Sequence, residues 1–434
     1  MNSLIRFAAV VPALCAFAGA SSQNHPLTPQ EGEVTIINPS ATRSDSGLTV
    51  INIYNIFLQN APKSHKKSGV PNFAIEGKNK KFYLGIGGTA KATLSYDWGD
   101  PIDNGFNFTT SSIPMNPRKG DGGLVQFSAA TSGLYLNFVA LPGDKNQLGV
   151  YIDFNLTGNS YGFDLQYAYI KYRGFTAGYD YSLFSDMAAA PPSIDNEGPC
   201  GFTAIPNGVL DYRHSFGQHW SLGVGVEMPM VSATTGEKTY VVNQRVPDIP
   251  AYVQYSWGGG KSWIRFSGIV RNMLYRDEIA DKNRDQVGWG VKMSGSASLT
   301  PLVTAYYQAA YGEGITSYFQ DLYEGGLDMV PDGSGRLKAV KAWGGYFGLQ
   351  YNISPKVYAT TTYSHLRNYA PDYSGGSTAW DSQYKYAQYA LANVIWQITP
   401  HLSTGLEYIY GRRVDMSGLS HHDNRIQTML QVTF

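Results

Sequence analysis

The sequence predicts an all-β fold: a transmembrane antiparallel β-barrel of about 16 strands, with one loop folded inward to constrict it. Three observations predict it. Along the closing segment, Ile426, Thr428, Leu430, Val432 and Phe434 share one face, while Arg425, Gln427, Gln431 and Thr433 share the other. Strand side chains alternate with period two, so this segment has one apolar and one wet surface, and the apolar one ends in a ring suited to a membrane–water interface. Composition is the second observation. Charged residues are 15% of the chain, against about 25% in soluble domains, while Tyr (32) and Gly (48) are abundant. Beyond the first 20 residues no apolar stretch reaches the ~18 residues that a helical span needs. Third, from about Lys80 onward the chain is a succession of alternating segments separated by turn residues. The formal net charge of +0 leaves no basic excess to suggest a nucleic-acid partner.

The elements follow in order. Residues 1–20 read as a signal peptide: Arg6 supplies the positive charge, Phe7 to Phe17 the apolar run, and Ala18-Gly19-Ala20 the small residues before cleavage. Leu14 ahead of Cys15 argues against lipidation. Removal of this leader leaves Cys200 alone, so no internal disulfide is expected. Residues 21–72 read as an N-terminal periplasmic extension and linker. Ser21–Ser46 is polar and Pro-containing, Gly47–Asn60 holds an apolar cluster from Leu48 to Leu58, and His65-Lys66-Lys67 begins a basic linker. The cluster fits a short helix that associates with its own copies, or a strand docked under the barrel. Neither period wins.

Residues 73–434 read as the barrel. In its first strand Phe82, Leu84, Ile86, Ala90, Ala92, Leu94 and Tyr96 alternate with Tyr83, Thr89, Lys91, Thr93, Ser95 and Asp97. Further strands are predicted at 122–141, 146–157, 160–173, 174–184, 208–216, 219–230, 247–257 and 261–276. The rest fall at 286–299, 301–313, 339–352, 355–368, 384–399, 400–414 and 421–434. Short turns (Gly143-Asp144-Lys145, Arg173-Gly174, Gly217-Gln218, Gly258-Gly259-Gly260, Ser354-Pro355, Thr399-Pro400) alternate with long stretches such as Asp97–Gly120, Gly314–Lys338 and Tyr369–Gln383. Lipid offers the backbone no hydrogen-bond partner, so such a sheet must close on itself. Roughly 22 residues per strand and connector suffice, since a spanning strand takes ~9–11.

Two groups of residues are candidates for function. The long non-strand segment from Phe184 to Pro199 is rich in Ala and Pro and carries Asp186, Asp195 and Glu197. Folded into the lumen, it would set these acids opposite basic residues on the wall; the alternative is an external surface loop. Period-two reading puts Lys91, Arg213, Arg265, Lys292, Arg413 and Arg425 on the face away from lipid. Guanidinium forks match carboxylates, and a ladder of bases lowers the barrier for small anions without holding them tightly. The plainer reading has these bases paired with wall acids such as Glu227, Asp211 and Glu407. Enzymatic signatures are weak. Gly85-Ile86-Gly87-Gly88 lies within a strand and lacks a phosphate-binding Lys-Ser/Thr pair. Asp281-Lys282-Asn283-Arg284-Asp285 has Gln286 where a calcium loop needs Gly, and Lys292 where it needs Glu. Ser364-His365 are strand neighbours pointing to opposite faces. No catalytic residue, metal or cofactor is expected.

Several segments resemble the DcaP-like outer-membrane porins: Leu402-Ser403-Thr404-Gly405-Leu406-Glu407-Tyr408-Ile409-Tyr410-Gly411-Arg412-Arg413, and Tyr167-Ala168-Tyr169 leading into Ala177-Gly178-Tyr179-Asp180-Tyr181-Ser182-Leu183-Phe184-Ser185-Asp186. Ile194-Asp195-Asn196-Glu197-Gly198-Pro199 and Tyr83-Leu84-Gly85-Ile86-Gly87-Gly88 with Tyr96-Asp97-Trp98-Gly99 match too. The resemblance covers residues 73–434. It implies a homotrimer of 16-stranded barrels in the bacterial outer membrane, surrounded by lipid and lipopolysaccharide, passing small anionic solutes such as dicarboxylates. Arg413 lies in the best-matching segment. Asp164 and Gln166 stand where anion-passing relatives are expected to be basic, a departure that bears on the solute and not on the fold. Rival readings are a substrate-gated barrel for hydrophobic compounds, which needs an apolar lumen and residues 47–58 inside it, and a structural or adhesin-like barrel.

Overall fold

The computed structural model describes residues 35–37, 50–63, 69–77, 81–140, 147–332, 334–373 and 378–434. The expected leader, the basic run His65-Lys66-Lys67 and the turn Gly143-Asp144-Lys145 lie outside these residues. The described chain forms sixteen antiparallel barrel strands: β1 (Phe82–Gly99), β2 (Gly123–Ser128, resuming at Gly133–Ala140), β3 (Leu148–Gly158), β4 (Gly162–Tyr172), β5 (Phe175–Tyr181), β6 (Pro206–Phe216), β7 (Trp220–Glu227) and β8 (Ile249–Trp257). β9 (Ser262–Asp277), β10 (Lys282–Ser298), β11 (Val303–Glu313), β12 (Lys341–Ser354), β13 (Val357–Asn368), β14 (Tyr384–Gln397), β15 (Leu402–Asp415) and β16 (Ser420–Thr433) complete the wall. Each strand pairs with the next, and β16 pairs with β1 from Thr433↔Thr89 to Asp423↔Gly99. The ring therefore closes and leaves no open edge to lipid.

Alternation explains the wall. On β16 the residues expected to face lipid, Ile426, Leu430, Val432 and Phe434, are exposed, whereas Arg425 and Gln427 are buried inside. Sequence reading runs a single strand through 122–141, but β2 breaks at Ala129–Ser132. The Leu156 amide donates there to the carbonyls of Ala130 and Ser132, so the break stays bonded to β3. Strand β10 starts earlier than expected, at Lys282, because Asp281 adopts φ 49° and turns the chain tightly. The short turns define the periplasmic rim. One of them, Gly258-Gly259-Gly260, has φ of 61°, 69° and 87°, a left-handed run that side chains would strain. On the other rim, residues 100–122, 182–205 and 314–340 fold over and into the barrel. Their Ile102, Phe108, Ile113, Phe184, Ile315 and Tyr318 bury one another against wall residues such as Ile269, Tyr389 and Ile409.

The apolar cluster before the barrel is helical: α1 spans Val50–Asn60. It neither pairs as a strand nor lies beneath the wall. Phe57 is buried among Val70, Ala74, Tyr83 and Val139, and Tyr83 and Val139 face the lumen. Asn137, also lumenal, donates through Nδ2 to the carbonyls of Phe57 (3.0 Å) and Gly69 (2.9 Å), and accepts from Asn60 Nδ2 at 2.7 Å. The Asn60 carbonyl accepts from Tyr169 Oη (2.7 Å) and Lys171 Nζ (2.9 Å). The wall is cut away to admit this segment: a Cβ on Gly149 would lie 2.0 Å from Asn60 Oδ1, and one on Gly85 2.1 Å from Pro71 Cγ. Strand Phe73–Glu76 then pairs antiparallel with β1, from Phe73↔Ile86 to Glu76↔Tyr83. No helix among the described residues is long and apolar enough to cross a membrane.

Candidate functional site

The long connector after β5 enters the lumen, as its composition predicts. Pro191 and Pro192 carry no N–H and so cannot join a ladder, and the wall instead holds the loop by its polar groups. Glu407 on β15 accepts the amides of Ile194 (2.8 Å) and Asp195 (2.9 Å), together with Asn393 Nδ2 and Gln427 Nε2. Tyr346 Oη donates to the Ala189 carbonyl at 2.9 Å, and the Gly201 amide to Ser364 Oγ at 2.9 Å. At Gly201 the loop touches the wall so closely that a Cβ would lie 2.4 Å from the Gly345 nitrogen. A cavity of about 500 Å³ remains between the loop and the wall, lined by Lys91, Asp153, Gln166, Tyr181 and Glu197 among others.

The loop acids do three different things. Asp186 accepts from Trp263 Nε1 (3.1 Å) and Ser294 Oγ (2.8 Å), and its carboxylate lies 3.5 Å from Arg265. Asp195 is buried and structural: it takes the amides of Phe108 (2.9 Å), Glu197 (3.2 Å) and Gly198 (2.9 Å), and Tyr389 Oη (3.0 Å). Glu197 lines the cavity.

The expected wall bases also divide. Lys91 reaches the cavity and donates to the Ile194 carbonyl at 2.8 Å. Arg213 pairs with Asp211 (2.9 Å) and Asp180 (3.0 Å) and keeps 34% of its side chain exposed. Arg265 grips Gln254 Oε1 (2.9 and 2.7 Å) and lies 4.3 Å over the Tyr252 ring. Gly223 on β7, paired with Tyr252, leaves room for that ring, since its Cβ would come within 2.4 Å of it. The other three depart from a pore-lining role. Lys292 is buried beneath Phe184 and donates to Thr203 Oγ1 at 3.2 Å. Arg413 is held under the extracellular loops by Asp415 (2.9 Å) and the Ser111 and Ser382 carbonyls. Arg425 is wholly buried, forked onto both oxygens of Asp97 at 2.7 Å, with the Asn104 carbonyl at 2.7 Å. Alternation gives the face correctly for all three. What removes them from the passage is the cover of inward-folding loops, which alternation does not register. Of the wall acids, Asp211 pairs with a base, while Glu407 and Glu227 serve the loop, the latter through the Leu183 amide at 2.8 Å.

Two bases join Arg213 and Arg265. Lys171, next to last in β4, lies on the lumenal face beside Tyr169, and Lys63 follows α1. Lys171, Arg213 and Arg265 all lie within about three residues of a periplasmic turn. Desolvation inside the barrel, then the like charges of Arg265 and Arg213, lower the Lys63 pKa. Alternation in 160–173 could have revealed Lys171; nothing in the sequence places Lys63.

A closed sixteen-stranded barrel with an apolar belt, long loops on one rim and an inward loop narrowing a hydrated lumen is an outer-membrane channel, not an enzyme. The chain belongs to the porin subfamily, whose model matches residues 134–430. It is 23% identical over 159 residues to Porin Omp2a of Brucella melitensis, covering 37% of this chain and 39% of that protein. The match thus spans about two fifths of the length of the curated relatives. The outer-membrane channel DcaP of Acinetobacter baumannii superimposes with a TM-score of 0.71 at 21% identity, over 82% of this chain and 99% of that one. An anion-selective porin from Comamonas acidovorans gives a TM-score of 0.53 at 11% identity, over 82% and 100%. At these identities the structural likenesses establish the fold alone. They agree with the family, which places the protein in the bacterial outer membrane.

Proposed function

We propose that this porin is a passive diffusion channel for small hydrophilic solutes, working as a homotrimer and favouring small anions such as dicarboxylates. The observation that carries the reading is the group Lys63, Lys171, Arg213 and Arg265 near the periplasmic mouth. These bases present atoms to the lumen, whereas their acids Asp180, Asp186 and Asp211 are buried behind them. Narrow low-dielectric walls focus such a field and raise the local concentration of counter-ions. Each guanidinium is already bound along one edge, so a passing carboxylate gains a partner without a closed cage, as conduction requires.

The upper passage favours a second reading. Asp153 and Glu197 line the cavity against Lys91, a balance that suits weak cation preference. Planar-bilayer recording under a KCl gradient decides between the two by the sign of the reversal potential. Under the anion reading, replacing Lys171, Arg213 and Arg265 together by Gln moves the reversal potential toward cations. An unchanged potential counts against their role, and a cation-selective native channel supports the second reading. The hydrophobic-substrate rival gains the amino-terminal segment inside the barrel, but the polar passage counts against it. Absence of ohmic steps in the bilayer would revive it, as it would the adhesin-like rival.

A further inference from the structure

Strands β12, β13 and β15 carry bases on the outside of the barrel near its extracellular rim. Phe347, Leu349 and Tyr351 on β12, and Leu406, Ile426 and Leu430 on β15 and β16, form an exposed apolar band. The same outward faces continue upward into Lys341 on β12, Arg367 on β13 and Arg412 on β15. Arg367 is ten residues beyond Val357, the start of its strand. At ~3.3 Å per residue and a tilt of ~40°, its side chain stands about 25 Å above the periplasmic turns, the height of a barrel's apolar belt. Hydrocarbon gives way to headgroups there.

Strand register gathers this patch. Arg367 lies opposite Trp343 and Tyr386, and Arg412 opposite Gln388 and His422. The Arg367 guanidinium sits 4.8 Å over Tyr369 and 5.9 Å from Tyr386, and its enclosed Nε has no hydrogen-bond partner. Arg412 donates to Ser420 Oγ at 2.8 Å. Neither arginine meets a carboxylate among the described residues, and Lys341, 58% exposed, has only Glu313 at 3.7 Å. The β9–β10 rim is different: its outward Arg276 pairs with Asp281. One rim neutralises its own bases, and the other leaves them to an external anion.

We propose that the β12–β16 patch binds the phosphates of an outer-leaflet glycolipid. Arg367 and Arg412 act as fork donors to phosphate oxygens and Lys341 as a point charge. Trp343 and Tyr386 lie at the interface level where aromatic rings settle. The test titrates the folded channel in detergent with bisphosphorylated lipid A, dephosphorylated lipid A and phosphatidylglycerol, reading binding by native mass spectrometry. Bisphosphorylated lipid A binds about tenfold or more tightly than either of the others, and the Lys341→Gln/Arg367→Gln/Arg412→Gln variant loses that margin. A variant of the self-paired rim, Arg276→Gln, keeps it. Unchanged single-channel conductance certifies that the triple variant folds. Should it not fold, Arg367→Lys and Arg412→Lys keep the charge, lose the fork, and each weaken binding about threefold. Equal binding of dephosphorylated lipid or phosphatidylglycerol, or unchanged binding by the patch variants, overturns the proposal.

Discussion

Replacing Arg425 by Leu strands Asp97, which is wholly buried and takes both its short hydrogen bonds from that guanidinium. An unpaired buried charge costs about 3–5 kcal/mol. The variant should therefore unfold in detergent at a markedly lower temperature, read as the shift between folded and unfolded bands on a semi-native gel. Its reversal potential should not move, because Arg425 exposes nothing to the passage. Arg213→Gln, in contrast, should shift the reversal potential, since that side chain is one-third open to the water of the passage. Two arginines on the same face of the wall thus separate by what covers them. Alternation places both residues; only the path of the loops between residues 100 and 122 tells them apart.

Elements that fold back on the barrel set the aperture. Truncation ahead of residue 73 removes α1 and Lys63 from the lumen, so single-channel conductance should rise. Asn137→Ala, which removes the bonds to Phe57, Gly69 and Asn60, should raise the frequency of transitions to that larger conductance. Unchanged steps in both would place the segment outside the current path. The extracellular loops carry a pH-dependent clamp. Asp321 accepts from Thr110 Oγ1 (2.5 Å), the Ser111 amide (3.4 Å) and Tyr384 Oη (3.1 Å), joining two loops and the wall. Those donors favour its charged form, yet burial outweighs them and pushes its carboxyl up to about 6 from 3.8. An acid whose folded pKa is raised binds its proton more tightly in the folded state. Its contribution is therefore full below about pH 4 and declines as pH rises to about 6. Limited proteolysis of these loops should be slower near pH 4 than near pH 7, and Asp321→Asn should remove that difference.

For the whole molecule, the sequence reading and the structure agree on sixteen strands, on which faces meet lipid, and on the inward loop. Each follows from period-two alternation and the positions of Pro and Gly, which are local signals. Less legible was everything made by contact between distant segments: α1 inside the lumen, the notch at Gly149 and Gly85, and Glu407 as the loop's anchor. An apolar cluster such as Leu48–Leu58 states that it must be covered, not by what. Closure also makes a prediction about the entire chain. Because β16 returns to β1, the purified barrel should need detergent to stay in solution, and a detergent-free soluble monomer with its sheet intact would contradict the fold.

Cys200 is the only cysteine among the described residues, and it is sealed beneath the inward loop, 3.4 Å from Ser364 Oγ. Burial raises its pKa well above the usual thiol range, which keeps it unreactive. Produced without residues 1–20, which hold Cys15, the folded channel is a natural blank for site-directed labelling: a thiol introduced at Glu197 or Lys171 would be the accessible one, and methanethiosulfonate reagents of opposite charge could chart the passage position by position without Cys200 being replaced first.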